Sequence, residues 1–320
     1  MLNKEKRITD LKSEINCLAQ EFRDNPNYFD TEFVCKAYQS YGLDVYPNPK
    51  NLEIISVITK ALEDKTALSV IRIGDGEMNL LALDAYPKTP LLNRASAQEI
   101  IAMMEDSFIL TPFYEVILRD LLFASILHAD IIGVLGVYRI NPNHNIEDKI
   151  KHLLLSKSQR GASGHFRGVD FMLNMGKLNK LQNKIISSAF LYLSILDNLE
   201  TIFSKTSKVF LITKNREIFL KLKKHYLNIE FILIEVGETK AEDLSETPNF
   251  LFELYDKLPS NMSGSLTLIG AGVWAEIYAM WIKHKGGVAV DIGSGFDLLD
   301  GKITRLFHRR LKEDAHQYKL

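Results

Sequence analysis

Short apolar segments alternate with segments of helical pattern along most of this 320-residue chain. About six of them have the length and composition of buried β-strands. One, residues 130–137, shows no polar alternation, as expected for a strand covered on both faces. This order predicts an α/β fold with a mostly parallel sheet of about six strands and helices on both faces. The predicted strands are 67–73, 130–137, 208–213, 229–236, 265–269 and 288–292.

The remaining segments have the patterns of helices or loops. Helices are predicted at 3–24, 52–62, 97–106, 114–127, 185–203, 215–224, 249–257 and 273–285. Residues 156–168 are polar and glycine-rich, which predicts a mobile loop, and 237–248 form a second, acidic loop.

Composition excludes several classes of protein. The net charge of -1 argues against a nucleic-acid-binding surface. Cys17 and Cys35 are the only cysteines, too few for a disulfide framework or a cysteine-based zinc site. The N-terminus has no apolar core of a signal peptide. The hydrophobic region 117–138 contains charged residues, so no transmembrane segment is predicted. We therefore expect a cytoplasmic protein.

The N-terminal helix carries a short heptad seam. Its apolar positions are spaced by three and four residues: Ile8, Leu11, Ile15, Leu18 and Phe22. The seam serves docking on the main domain or a homodimer, and its length of about two heptads favours docking. We expect three regions: a helical extension and linker at 1–50, the main domain at 51–305, and a basic, solvated tail at 306–320.

The most informative motif follows the first strand. The segment 69–77 runs from apolar residues into Gly74-Asp75-Gly76-Glu77, and a helical pattern follows at once. Ligands in α/β proteins bind beyond the carboxyl ends of such strands. Asp75 and Glu77 could share one hard cation, Mg²⁺ or Mn²⁺. Asp75 could instead cap the helix, but a capping box needs its glutamate three residues later, and Glu77 comes two later.

A second motif lies near the end of the chain. Gly270 and Gly272 belong to a G-x-G-x-x-A pattern after a strand, and Asp291 follows about 20 residues on. Glycines of this kind let a diphosphate approach the helix start, and a carboxylate at Asp291 could bind ribose. A plain tight turn is the alternative interpretation. Residues 291–295 also suggest an S-adenosylmethionine loop, although too little chain follows for a complete methyltransferase or NAD-binding domain.

Together these two motifs resemble the bacterial GT-D-fold glycosyltransferases. The resemblance is carried by the segment 72–77 and by the segments 270–278 and 286–293. It implies a Rossmann-like domain that transfers a sugar from a nucleotide-sugar donor with the help of a divalent metal. Many members carry a histidine directly after the last Asp-Ile-Gly, where this chain has Ser294.

The resemblance implies roles for individual residues. Asp75 and Glu77 would act as catalytic residues that hold Mn²⁺ or Mg²⁺ against the donor diphosphate. The substrate-binding residues would be Arg72, Gly74, Gly76, Gly270, Gly272, Asp291, Gly293 and Ser294. The expected partners are a nucleotide-sugar donor and a glycan or glycolipid acceptor of polysaccharide biosynthesis. Among the donors, a UDP-sugar is expected before the others.

Several points stay open at the level of sequence. Arg72 could contact a phosphate or pair with a carboxylate. His165 and Asp297 are candidate general bases, and neither is favoured. Lys214, Asn215 and Arg216 could contact phosphate or simply begin a helix. The alternative functions are a methyltransferase, an NAD-dependent enzyme and a non-catalytic sugar- or nucleotide-binding module.

Overall fold

One parallel sheet forms the centre of the molecule. The computed structural model describes residues 4–83, 85–104, 112–138, 146–155, 159–236, 249–305, 308 and 318. The strands are β1 (Asp44–Tyr46), β2 (Leu68–Ile73), β3 (Ile131–Val134), β4 (Ile185–Ser188), β5 (Lys208–Thr213), β6 (Glu230–Glu235), β7 (Leu266–Gly270) and β8 (Val288–Asp291). Their order is β1-β4-β3-β2-β8-β7-β5-β6, and every pair is parallel. The predicted α/β class is confirmed, but the sheet has eight strands and not about six.

The two strands that the sequence did not predict pair with each other. β1 lies in the segment that was expected to be a linker, and its Val45 aligns with Ile186 of β4. β4 lies in the segment 185–203, which was predicted as one helix. That prediction is wrong because the strand and the helices after it form one apolar run, in which periodicity alone does not separate a strand from a helix.

Helices cover both faces of the sheet. They are α1 (Lys4–Asp24), α2 (Thr31–Ser40), α3 (Leu52–Glu63), α4 (Asp75–Leu81), α5 (Pro90–Met104), α6 (Pro112–His128), α7 (Ile146–Leu155), α8 (Arg160–Lys177), α9 (Tyr192–Asp197), α10 (Leu199–Phe203), α11 (Arg216–His225), α12 (Asn249–Lys257), α13 (Ala275–His284) and α14 (Gly295–Leu299). Among the described helices, none combines the length and apolarity needed to cross a bilayer.

The glycine-rich segment 156–168 differs from its prediction. From Arg160 onward it belongs to α8, so the predicted loop is wrong there. The predicted acidic loop at 237–248 and the predicted end of the helix at 106 lie outside the described residues.

Successive residues of β2 pack into two separate hydrophobic cores, one on each face of the sheet. Val70 packs in a cluster with Ile58 of α3, whereas its neighbour Ile71 packs in a cluster with Tyr278 of α13. All four side chains have 0% exposure. Alternate residues of a strand point to opposite faces, so burial of both confirms a sheet between two helical layers.

The N-terminal helix docks on the rest of the chain. Leu18 and Phe22 have 0% exposure. The ring of Phe22 lies 4.9 Å, centroid to centroid, from both Phe29 and Phe166 of α8. The described part of the heptad seam is therefore used within one chain, and the homodimer stays a prediction.

Strand order brings the two sequence motifs together. β2 and β8 are neighbours at the middle of the sheet, with Val70 aligned to Val290. Because the strands are parallel, Gly74 after β2 and Asp291 at the end of β8 meet at the same edge. This carboxyl-terminal edge positions the candidate site.

Candidate active site

The first acidic motif begins helix α4. Gly74 is the residue before the helix, and its N–H donates to Glu77 Oε2 at 2.7 Å. Glu77 therefore caps the helix from the third helical position, as the glutamate of a capping box does. The sequence argued against a capping box because Glu77 is only two residues after Asp75, the expected cap residue. The cap residue is Gly74, three residues before Glu77. A Cβ at Gly74 would lie 2.9 Å from the same Glu77 oxygen, so this glycine makes room for the carboxylate.

Asp75 of this motif is accessible to solvent. Its side chain is 38% exposed, and its Oδ2 lies 3.8 Å from Nη1 of Arg160. Arg160 is the first residue of α8, and its side chain is 24% exposed. Sequence reasoning missed Arg160 because it placed this residue in a loop; the spacing of Gly161, Gly164 and Gly168 by three and four residues was the available signal of a helix face.

Arg72 forms an ion pair with Asp291. Its Nε donates to Oδ2 at 2.8 Å and its Nη2 to Oδ1 at 3.2 Å. The side chains are 18% and 3% exposed. The sequence left two roles open for Arg72, contact with a phosphate or pairing with a carboxylate. The structure shows the pairing with a carboxylate. Both oxygens of Asp291 are engaged, so the ribose contact proposed for Asp291 would require release of Arg72.

Gly293 makes this ion pair possible. Its φ is +45°, a region that favours glycine. A Cβ at this position would lie 2.0 Å from Arg72 Nη2. The guanidinium therefore fills the space that any side chain at 293 would occupy. The role of Gly293 visible in the structure is to admit Arg72.

The buried carboxyl group of Glu276 lies near Glu77 and Asp291. Glu276 is in the first turn of α13 with 1% exposure, and its Oε2 has no hydrogen-bond partner. Burial raises its pKa well above the usual value, and the charges of Glu77 and Asp291 raise it further. Glu276 lies in the segment 270–278 that carries the family resemblance, but sequence reasoning did not single it out, because a glutamate in a first helical turn is common.

Negative charge exceeds positive charge among Glu77, Asp291, Glu276 and Arg72. Burial raises the pKa of Glu77 to about 7, with contributions from Asp75 and Asp291. Burial also raises the pKa of Asp291, although Arg72 opposes the shift. Arg72 alone does not balance these carboxyl groups. A buried carboxylate without a counter-charge is unfavourable, so the site favours either protons or a cation.

The donor set fits a hard divalent cation that a substrate helps to hold. Within the described part of the chain, no group of three or more His, Cys, Asp or Glu side chains forms a complete metal site. Mg²⁺, however, commonly takes one or two protein carboxylates and completes its shell with phosphates and water. Asp75 and Glu77 have the right oxygen chemistry, and the orphaned oxygen of Glu276 lies in the same acidic environment.

Two glycines of the motifs are explained by packing. A Cβ at Gly270 would lie 2.4 Å from Phe296 Cδ2, and one at Gly76 would lie 3.2 Å from Ile100 Cδ1. Gly272 has a φ of +56°, so the turn after β7 itself requires glycine. These contacts support the plain-turn interpretation of the second motif. The S-adenosylmethionine interpretation came from residues 291–295, so it stays a prediction, as does an NAD site.

The C-terminal segment reaches the site at His308. This residue has 0% exposure, so the expectation of a solvated tail is wrong at this position. Its Nε2 lies 3.0 Å from the Tyr192 hydroxyl and 3.4 Å from Ser294 Oγ. The ring of Tyr192 in turn lies 5.0 Å from the Arg72 guanidinium carbon. Ser294 therefore faces an imidazole, and burial lowers the pKa of that imidazole.

The two candidate bases have structural contacts. His165 is on α8, and its ring stacks on Phe29 at 5.4 Å between centroids. Asp297 Oδ2 accepts a hydrogen bond from Thr304 Oγ1 at 2.5 Å. Neither contact involves the acidic groups of the site.

The charged segment 214–216 follows the carboxyl end of β5 and leads into helix α11. Asn215 caps helix α11 by accepting from Ile218 N–H, which supports the helix-start interpretation of that segment. A surface cleft of about 670 Å³ lies at the starts of β5 and β6, lined by residues including Phe203 and Tyr226. The starts of parallel strands are at the edge opposite to the candidate site, so this cleft takes no part in it.

Comparison with known proteins identifies a family. The sequence model of a family described as GT-D fold-like domain matches residues 50–299. No curated protein and no solved structure matches the chain. The family match covers most of the chain, including both strand ends that form the site, and its fold indicates a glycosyltransferase. The chain belongs to the GT-D fold-like family.

Proposed function

We propose that the protein is a metal-dependent glycosyltransferase that takes its sugar from a nucleoside-diphosphate sugar. The observation that carries the proposal is the cluster of carboxyl groups at the carboxyl ends of β2 and β8, with the exposed Asp75 at its rim. Transfer of the sugar leaves a nucleoside diphosphate on which negative charge grows. A site with surplus carboxylates needs a cation to accept such a leaving group.

Asp75 and Glu77 are the proposed metal ligands. Mn²⁺ or Mg²⁺ held there would supply Lewis-acid stabilisation of the departing diphosphate. Arg160 lies beside Asp75, so its guanidinium is placed to contact a phosphate oxygen of the same donor. Arg72 keeps Asp291 in place and is a structural support of the site.

The acceptor is proposed by chemical class only. A glycan or glycolipid hydroxyl is the expected nucleophile, and a UDP-sugar is the first donor to test. The residue that removes the proton from the hydroxyl is left unassigned, because His165 stacks on Phe29 and Asp297 accepts from Thr304 Oγ1, and neither of these contacts involves the acidic cluster.

Two variants test the metal role. Asp75→Ala removes the exposed carboxylate, and Glu77→Gln removes a charge while keeping an oxygen that can accept from Gly74 N–H. We expect each to lower release of nucleoside diphosphate from the donor by at least about 100-fold in the presence of Mn²⁺. The reason is that the leaving group loses its counter-charge.

Glu32→Ala is the matched control. Glu32 is also in the first turn of a helix, α2, and its side chain is 75% exposed and paired with Lys36. We expect this variant to keep wild-type turnover. Full turnover by folded Asp75→Ala and Glu77→Gln would refute the metal role.

A further inference from the structure

Asn79 connects the starts of helices α4 and α8. It has 0% exposure and uses its whole hydrogen-bonding capacity. Its Nδ2 donates to the carbonyl of Asp75 at 2.6 Å and to the carbonyl of Arg160 at 3.0 Å. Its Oδ1 accepts from Ser163 Oγ at 3.0 Å and from Arg167 Nη1 at 3.3 Å. One side chain thus fixes the backbone of both residues at the rim of the site.

Arg167 is a buried cation whose direct contacts are with neutral groups. It has 0% exposure, and its Nη2 donates to Thr89 Oγ1 at 3.0 Å while its guanidinium carbon lies 5.2 Å from the Tyr86 ring centroid. Its Nε has no hydrogen-bond partner. The carboxylates of Glu21 and Glu14 act on it only through space, without an ion pair among the described residues. Burial lowers the pKa of Arg167 to about 10, which leaves it charged at neutral pH.

Such a cation is an unfavourable way to stabilise a fold. Burying a charge without a directly paired counter-charge costs free energy that apolar residues of the same volume avoid. Its contacts therefore matter more than its contribution to stability. The contact that leads to the site is the hydrogen bond to Asn79, the residue that holds Asp75 and Arg160.

We propose that Asn79 and Arg167 are positioning residues that set the distance between Asp75 and Arg160. Arg167 fixes the orientation of the Asn79 amide, and the amide then holds the first turns of α4 and α8 together. The functional part of this inference rests on the proposed function, in which Asp75 holds the metal and Arg160 faces the donor phosphate.

Asn79→Asp separates this role from a purely structural one. The new carboxylate gives Arg167 a counter-charge, but it removes both donors to the carbonyls of Asp75 and Arg160. We expect a melting temperature at or above that of wild type. We also expect more than tenfold weaker binding of UDP with Mn²⁺, and faster hydrogen exchange at the starts of α4 and α8. There Met78 N–H donates to Gly74 and Ser163 N–H to Gln159.

Ser163→Ala is the matched control. It removes one donor to Asn79 Oδ1 and one of two donors to the Arg160 carbonyl, and it leaves both bonds from Asn79 Nδ2 in place. We expect wild-type exchange at both helix starts and wild-type binding of UDP with Mn²⁺. If Asn79→Asp does not fold, Arg167→Met takes its place, since it removes the charge and the donor to Asn79 with a side chain of similar length. It should fold and show the same faster exchange.

The outcomes are distinct. Wild-type exchange at both helix starts in a folded Asn79→Asp or Arg167→Met variant would overturn the positioning role. Faster exchange with unchanged binding of UDP and Mn²⁺ would also overturn it, because the helix starts would then be held for stability alone. If wild-type protein bound no nucleotide, the proposed function would fail, while the exchange result would still decide whether Asn79 holds the two helices.

Discussion

At the scale of single residues, the site depends on a guanidinium that occupies the place of a missing side chain. Arg72 lies where a Cβ of Gly293 would be, and there it pairs with Asp291. The arrangement combines a positive φ with close contact, so glycine is required at 293 for two separate reasons. The pair is almost wholly buried, which makes it sensitive to any displacement.

Gly293→Ala tests this arrangement. We expect the free energy of unfolding, measured in urea, to fall by about 3 kcal/mol or more, because backbone strain adds to loss of a buried ion pair. Gly42→Ala is the control: φ there is +75°, but a Cβ would meet nothing within 4 Å. That variant should lose only about 1 kcal/mol from strain. Equal losses would show that Gly293 does not confine Arg72.

Sequence predicted some of these residues and could not predict others. Asp75, Glu77 and Asp291 were predicted as site residues because each lies at or just after the end of an apolar strand, where α/β proteins bind ligands. The pairing of Arg72 with Asp291 depends on β2 and β8 being neighbours, and local sequence patterns do not specify strand order. Glu276 lies within the second motif but was not singled out there, and Arg160 and His308 lie in no distinctive motif, so their positions became visible only with tertiary structure.

At the scale of secondary-structure elements, the close packing of helices α4 and α8 supports the site. A Cβ at Gly164 of α8 would lie 2.4 Å from the carbonyl oxygen of Asp75 and 2.7 Å from Asn79 Nδ2. A Cβ at Gly168 would lie 2.7 Å from Met78 Cγ. Glycines at this spacing were interpreted as a loop, since their frequency resembles that of a loop. Their actual role is to let α8 approach α4.

Gly164→Ala and Gly161→Ala form a matched pair on this helix. The first places a methyl group against backbone that has no room to move, so we expect a loss of about 1–3 kcal/mol in unfolding free energy. It should also weaken binding of UDP with Mn²⁺, because Asp75 shifts. At Gly161 a Cβ would lie 3.9 Å from Asp75 Oδ2, an ordinary contact.

For Gly161→Ala we expect equal or higher stability, because alanine favours helix more than glycine does. Both unfolding free energies come from the same urea titration. Similar losses in the two variants would mean that α8 and α4 are not in close contact at Gly164.

At the scale of the whole molecule, residues far apart in sequence hold the carboxyl-terminal edge together. β1 of the N-terminal extension adds an edge strand, and α1 covers α8 with its apolar side chains. In the segment after β8, Asp300 accepts hydrogen bonds from Lys221 Nζ at 2.9 Å and from Asn215 Nδ2 at 3.3 Å. Asp300 thereby links the segment after β8 to α11 and the residue that caps it.

The Asp300 contacts predict a dependence of stability on pH. Although partial burial raises its pKa, hydrogen bonds from Lys302, Lys221 and Asn215 lower the pKa to about 2. A lowered carboxyl pKa contributes stability that is present above the unfolded pKa of 3.8 and is lost as pH falls toward 2. Asp300→Asn should therefore lower the unfolding free energy at pH 7 by about 1 kcal/mol, a value reduced for the solvent exposure of both lysines.

Urea unfolding at a series of pH values checks this expectation. The difference between Asp300→Asn and wild type should narrow below about pH 4, where the carboxylate begins to take up a proton. A difference that stays constant from pH 7 to pH 3 would contradict an electrostatic origin.

The most direct test of the central claim is a thermal-shift measurement on wild-type protein and Asp75→Ala. UDP, GDP, CMP, NAD and S-adenosylmethionine are each compared with and without Mn²⁺. A nucleoside diphosphate at 100 times its dissociation constant stabilises the folded state by about 2.7 kcal/mol. We predict this stabilisation only with Mn²⁺ present and only in wild type. Stabilisation by S-adenosylmethionine or NAD without metal, unchanged in Asp75→Ala, would contradict the claim.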